Sequence, residues 1–90
     1  MFRVRWEKRA LNELSMLWTA ADPVMRKIIT AATNQIDEQL GADPMANSES
    51  RPGGRRILFA SPLGITFRVE SDGKTISVLR VWLFRRHGQP

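Results

Sequence analysis

Between Arg55 and Phe84, apolar and polar positions alternate in three short runs split by two turn signals. That pattern predicts a meander of three strands. Asp72-Gly73 marks the second turn, since a two-residue hairpin of type I′ needs positive φ at both central residues. With this pair at the tip, Ser71 faces Lys74, Val69 faces Ile76 and Phe67 faces Val78. Cross-strand partners share a face, so Phe67, Val69, Ile76 and Val78 form one apolar face. Thr66, Arg68, Ser77 and Leu79 take the other. The first turn, around Ser61-Pro62-Leu63-Gly64, leaves the parity open. An odd loop puts Ile57 and Phe59 on the Phe67 face, and an even one puts Leu58 and Ala60 there. The last run is apolar on both sides. Val78, Arg80, Trp82 and Phe84 are expected on the core face, and Leu79, Val81 and Leu83 on a shallow, partly uncovered one.

Upstream, Phe2, Val4 and Trp6 alternate with Arg3 and Arg5, a half-buried strand too short to stand alone. It is expected to pair with an edge of the meander. From Glu7 the period becomes helical: Leu11, Leu14, Trp18 and Ala21 recur on one stripe, widened by Ala10 and Leu17. Asp22-Pro23 breaks this helix and starts another, with Asp as N-cap and Pro in the first turn. Met25, Ile28, Ile29, Ala32, Ile36 and Leu40 fall within an arc of roughly 120° at 100° per residue. Gly41 is the expected C-cap. Two helices joined this tightly form an antiparallel hairpin, and their stripes are needed to cover the Phe67 face. Residues 42–54 read as a polar connector, with a mobile flap as the alternative. Residues 85–90 have no periodicity and are expected to form a flexible tail. The fold class is therefore α+β in one domain over residues 1–90, with the helices packed on one face of the sheet.

Composition limits the class. Ninety residues allow one modest core, and 42% hydrophobic with 26% charged residues is ordinary for a soluble domain. There is no Cys, hence no disulfide framework and no Cys-based metal site; no metal and no cofactor is expected. The N-terminal MFRVRWEKR lacks the apolar core of a signal peptide, and no run approaches the ~20 residues of a membrane span. No membrane association is expected, and a cytoplasmic setting is.

The charge is uneven. Residues 51–90 hold eight Lys and Arg against two acids, a net of +6, while residues 1–50 hold six against seven, a net of −1. These halves return the +5 of the whole chain. An arginine excess on the sheet half points to a polyanionic or acidic partner, with plain solubility as the alternative.

The order of elements, with the segments ALNEL, IDEQLGADP and RRILFASPLGITFRVESDGKTISVLRVW, resembles the RelE/ParE superfamily of bacterial toxins from type II toxin–antitoxin pairs. The resemblance covers roughly residues 2–84. It implies a compact toxin, a cognate antitoxin and a toxin–antitoxin hetero-oligomer. RelE-like members cut mRNA on the ribosome, whereas ParE-like members inhibit DNA gyrase without a nuclease site. Metal-free RNA cleavage needs a base for the 2′-hydroxyl, a cation for the phosphate and an acid for the leaving oxygen. RelE-like nucleases place Lys or Arg on the first meander strand, Arg on the next, and Arg, His or Tyr near the end of the last. Arg55 and Arg56 match the first place. Gly64 or Ile65 occupies the second, with Arg68 further along. Arg85, Arg86 and His87 stand at the end, and Tyr is absent. Glu49 is a further candidate base. Arg55, Arg56, Arg68, Arg85, Arg86 and His87 are thus the candidate catalytic residues of a ribosome-dependent mRNA endonuclease. A gyrase inhibitor and a non-toxic binding module are the competing readings.

Overall fold

The computed structural model describes residues 1–84. Strand β1 (Arg3–Trp6) leads into helices α1 (Lys8–Ala20) and α2 (Pro23–Ala42), followed by β2 (Ser48–Arg51), a short 3-10 turn (Pro52–Gly54), β3 (Arg55–Ala60), β4 (Leu63–Val69) and β5 (Thr75–Leu83). All five strands form one sheet in the order β1-β5-β4-β3-β2. Strand β1 runs parallel to β5, and every other neighbouring pair is antiparallel. The helices pack on one face around Ile29, Ala32, Ile36, Leu40, Phe67 and Val78. The α+β arrangement read from the sequence holds.

Asp22 starts α2 as expected: its Oδ1 accepts a hydrogen bond from Met25 N at 2.8 Å, and Pro23 sits in the first turn. Gly41 does not end the helix, which runs on to Ala42 with Asp43 as C-cap. The Gly41 carbonyl instead accepts from Phe2 N at 2.9 Å, tying the N-terminal strand to the end of α2. The register of the second hairpin is also as read, with Val69 opposite Ile76 and Phe67 opposite Val78. Its turn chemistry differs. Only Gly73 has positive φ, at 70°. Asp72 acts through its carboxylate, which accepts from Lys74 N, Thr75 N and Thr75 Oγ1 at 2.8–2.9 Å. Three donors hold that carboxyl well below the usual range, at about 2, with the Lys74 N–H the largest cause. The first turn is even. Ala60 pairs with Leu63, so Leu58 and Ala60 are buried on the Phe67 face.

Three further expectations are corrected. Residues 48–51, within the segment read as connector, form an edge strand antiparallel to β3. Leu11, Trp18 and Ile28, read as core stripe, are 50%, 43% and 43% exposed. Leu11 and Trp18 instead line an open apolar groove between the helices with Leu14 and Ile29. The third correction matters most. Thr66 pairs with Arg80 while Phe67 pairs with Val78, which leaves Leu79 as an extra residue in β5. This bulge inverts the alternation of every later residue. Val81 therefore turns into the core at 4% exposure, not onto the open face. Arg80 and Trp82 turn out of the core onto the open one.

Candidate nucleic-acid interface

Cross-strand pairing arranges the face away from the helices in rows. One row crosses the whole sheet: Arg51 of β2 opposite Arg55 of β3, Arg55 opposite Arg68 of β4, Arg68 opposite Ser77 of β5, and Ser77 opposite Arg5 of β1. Four arginines thus lie abreast. The next row holds Ile57, Thr66 and Arg80, and the one beyond it Phe59, Gly64 and Trp82. Like charges placed directly opposite one another destabilise a sheet, so Arg55 beside Arg68 has a cost that folding alone does not recover. Such a row is favourable when an anion lies over it.

The arginines are partly neutralised from the rim. Arg51 is 3.6 Å from Glu49, Arg68 is 3.4 Å from Glu70, and Arg5 is 3.9 Å from Glu7. Among the described residues, Arg55 has no carboxylate within 4 Å. Buried Ser77 accepts from Arg5 at 3.3 Å. Its hydroxyl is also the main cause that lowers the Glu70 carboxyl, followed by the charge of Arg68. Glu49 and Glu70 are thus engaged counter-ions at the margin of the row. Glu7, Arg9, Arg55, Thr66, Arg68, Leu79 and Arg80 enclose a recess of about 400 Å³ at the centre of this face.

Arg80 is held from outside the sheet. Strand β1 stops at Trp6 opposite Val78, leaving the β5 edge unpaired beyond the bulge. Glu13 of α1 takes over there: Oε1 accepts from Val81 N at 3.0 Å and Oε2 from Arg80 Nε at 2.9 Å. Burial works to raise the Glu13 carboxyl, but the Val81 N–H, then Arg80 and Arg9, outweigh it and hold it low. Glu13 is a residue the sequence reading missed. Its only trace there is a carboxylate in the middle of a helix whose sheet neighbour carries an oddly placed arginine.

The structure brings Arg55 and Arg68 together on the recess and adds Arg80 to them. Arg56 stands on the opposite face, donating through Nε to Ser48 Oγ at 2.8 Å and through a terminal nitrogen to Ser48 O at 3.0 Å. There it fastens β2 to β3. Arg85, Arg86 and His87 lie outside the described residues. Among the described residues, no group of three or more His, Cys, Asp or Glu side chains is placed to hold a metal ion. No helix among them is long and apolar enough to cross a membrane.

No family model matches the sequence, and no curated protein matches it. Solved structures do. The chain is similar to one from the RelBE2 toxin–antitoxin complex of Mycobacterium tuberculosis, at 20% identity and a TM-score of 0.71 over 92% of this chain and 98% of that one. It is also similar to one from the chromosomal ParDE toxin–antitoxin system of P. aeruginosa, at 24% identity and 0.72 over 94% and 98%. A third is the YoeB/ParE toxin from Agrobacterium tumefaciens, at 15% and 0.68 over 93% and 100%. At such identities what is shared is the architecture: this chain has the fold of the RelE/ParE toxin superfamily.

Proposed function

We propose that the protein is the toxin of a type II toxin–antitoxin pair and that its open sheet face binds and cleaves mRNA on the ribosome. The supporting observation is the row Arg51–Arg55–Arg68–Arg5 with the recess of Arg55, Arg68 and Arg80 behind it. A strand of RNA laid along that row meets one guanidinium per sheet strand over most of the sheet. In the cleavage step the 2′-oxygen attacks the adjacent phosphorus and the bond from phosphorus to the 5′-oxygen breaks. The products are a 2′,3′-cyclic phosphate and a 5′-hydroxyl. Negative charge grows on the non-bridging oxygens meanwhile, and fixed guanidinium donors stabilise it. The proton leaving the 2′-hydroxyl and the one reaching the 5′-oxygen need separate carriers. Glu7 is the carboxylate on the recess. Arg85, Arg86 and His87, further along the chain, complete the candidate set. An acidic segment of a cognate antitoxin, covering the same arginines, would hold the protein silent in a cytoplasmic complex.

A second reading, a non-catalytic inhibitor of DNA gyrase, is favoured by one observation. Where RelE-like nucleases carry Arg on the second meander strand, this chain has Gly64 and Ile65, and Ile65 is buried. The purified protein, added to translating ribosomes and separately to gyrase with relaxed plasmid, distinguishes the two. Cleaved mRNA with wild type, lost in Arg55→Ala/Arg68→Ala, is the expected result. Intact mRNA with blocked supercoiling would replace the first reading by the second.

A further inference from the structure

Beyond the arginines, the same face ends in three aromatic rings whose arrangement the phosphate chemistry does not use. Phe59, Gly64 and Trp82 lie abreast on β3, β4 and β5. Gly64 has no side chain, and the Trp82 indole fills the space above it. A Cβ built on Gly64 would meet Trp82 Cε2 at 2.7 Å, with Cζ2 and Nε1, both bonded to Cε2, at 2.8 Å. The shared atom is nearest and its two neighbours are nearly equidistant, which is an approach to the face of the ring rather than to its rim. The indole therefore lies flat on the sheet. Phe59 stands beside it at 86°, with centroids 6.3 Å apart, and is itself 45% exposed. Phe84 braces Phe59 from 4.8 Å. The result is a flat floor and an upright wall.

Trp82 follows Arg80 by two residues on the same strand and face, a separation of about 7 Å. Floor and wall thus adjoin the recess that takes the phosphate.

We propose that Trp82 and Phe59 hold one unpaired nucleobase of the bound RNA, the indole stacking on its face and the phenyl ring closing one side. The ligand is then single-stranded at this point, because a base inside a duplex has no free face to offer. Charge complementarity selects this occupant: a flat, uncharged ring on a polyanionic chain matches an aromatic floor bordered by arginines. This inference rests on the RNA reading above and deepens it.

The test is equilibrium binding of a fluorescent, 2′-O-methylated ten-nucleotide RNA, which cannot be cleaved through its 2′-oxygens, against an abasic oligomer of the same length. Stacking on an aromatic ring contributes about 1–3 kcal/mol per base, so Trp82→Ala should weaken binding of the base-bearing oligomer about tenfold. It should leave the abasic oligomer unchanged, which also shows that the variant is folded. Trp82→Phe should keep most of the affinity while losing the part of the tryptophan quenching caused by the base. Equal weakening with both oligomers, or none with either, overturns the proposal. So does an acidic peptide with apolar anchors that binds through Trp82 while the oligomer does not. If Arg55→Ala/Arg68→Ala leaves RNA affinity intact, the RNA reading itself fails. If that variant loses affinity and Trp82→Ala does not, only the stacking site fails.

Discussion

The two faces of the sheet are made by alternate residues of the same strands, yet they obey different rules. On the helix side, Leu58, Ile65, Phe67, Ile76, Val78 and Val81 are buried against α1 and α2, and each contributes through area removed from water. On the other side, Arg55 stands opposite Arg68 with Arg51 and Arg5 in line, a placement that opposes folding. Ninety residues leave little stability to spare. A repulsive row kept on such a domain therefore points to binding, while the covered face carries the fold.

The sharpest way to break that contrast is Phe67→Ala. Phe67 is fully buried, so its truncation should cost about 3–5 kcal/mol and lower the melting temperature by about 15 °C or more in a thermal circular-dichroism scan. A near-normal melt would mean that the covered face does not carry the fold. Next comes Glu13→Ala, which strips partners from Val81 N–H and from Arg80 at the junction of the two faces. A loss of about 1–3 kcal/mol is expected. The Glu13 carboxyl is lowered in the folded protein, so its contribution is complete above its ordinary value of 4.5. It fades as pH falls through the lowered folded value. The gap between wild type and variant should therefore be widest near neutrality and close in acid. Asp72→Ala should show a smaller loss with the same sign, because the turn carboxyl is also lowered, from 3.8 to about 2. Melts at successive pH values should show its contribution disappearing between those limits. The smallest effect on stability is expected from Arg55→Ala: a change within about 0.5 kcal/mol, or a slight gain, together with loss of RNA binding. Marked destabilisation by Arg55→Ala would erase the distinction between the faces.

Much of this was legible in the residues. Asp22-Pro23 announced α2, and Asp72-Gly73 set the register of β4 against β5. The parity of β3 was undetermined until Ala60 was found opposite Leu63, since either loop length left two apolar residues on each face. Strand β2 was hidden because Ser48–Arg51 has no apolar residue; its pairing comes from β3 and from the Arg56–Ser48 clasp. The stripe on α1 overstated burial because periodicity shows which side of a helix is apolar, not how much of it is covered. Leu11 and Trp18 face the gap between the helices. The bulge left one sign, an arginine assigned to the core among apolar neighbours. A charge in that position marks a break in alternation, and recognising it would have placed Arg80 and Trp82 on the arginine face and linked Arg80 to Glu13. The terminal candidates Arg85, Arg86 and His87 lie outside the described residues.

Leu79 has a consequence for inheritance. Losing its single codon would remove the bulge and leave a regular ladder, with Val78 opposite Phe67 and Arg80, now directly after it, opposite Thr66. Val81 would stay in the core opposite Ile65, Arg80 would stay on the arginine face, and Trp82 would keep its seat above Gly64. The exposed chemistry therefore tolerates a deletion at that one point, whereas a deletion just after it, within residues 80–83, would exchange the two faces of the strand end.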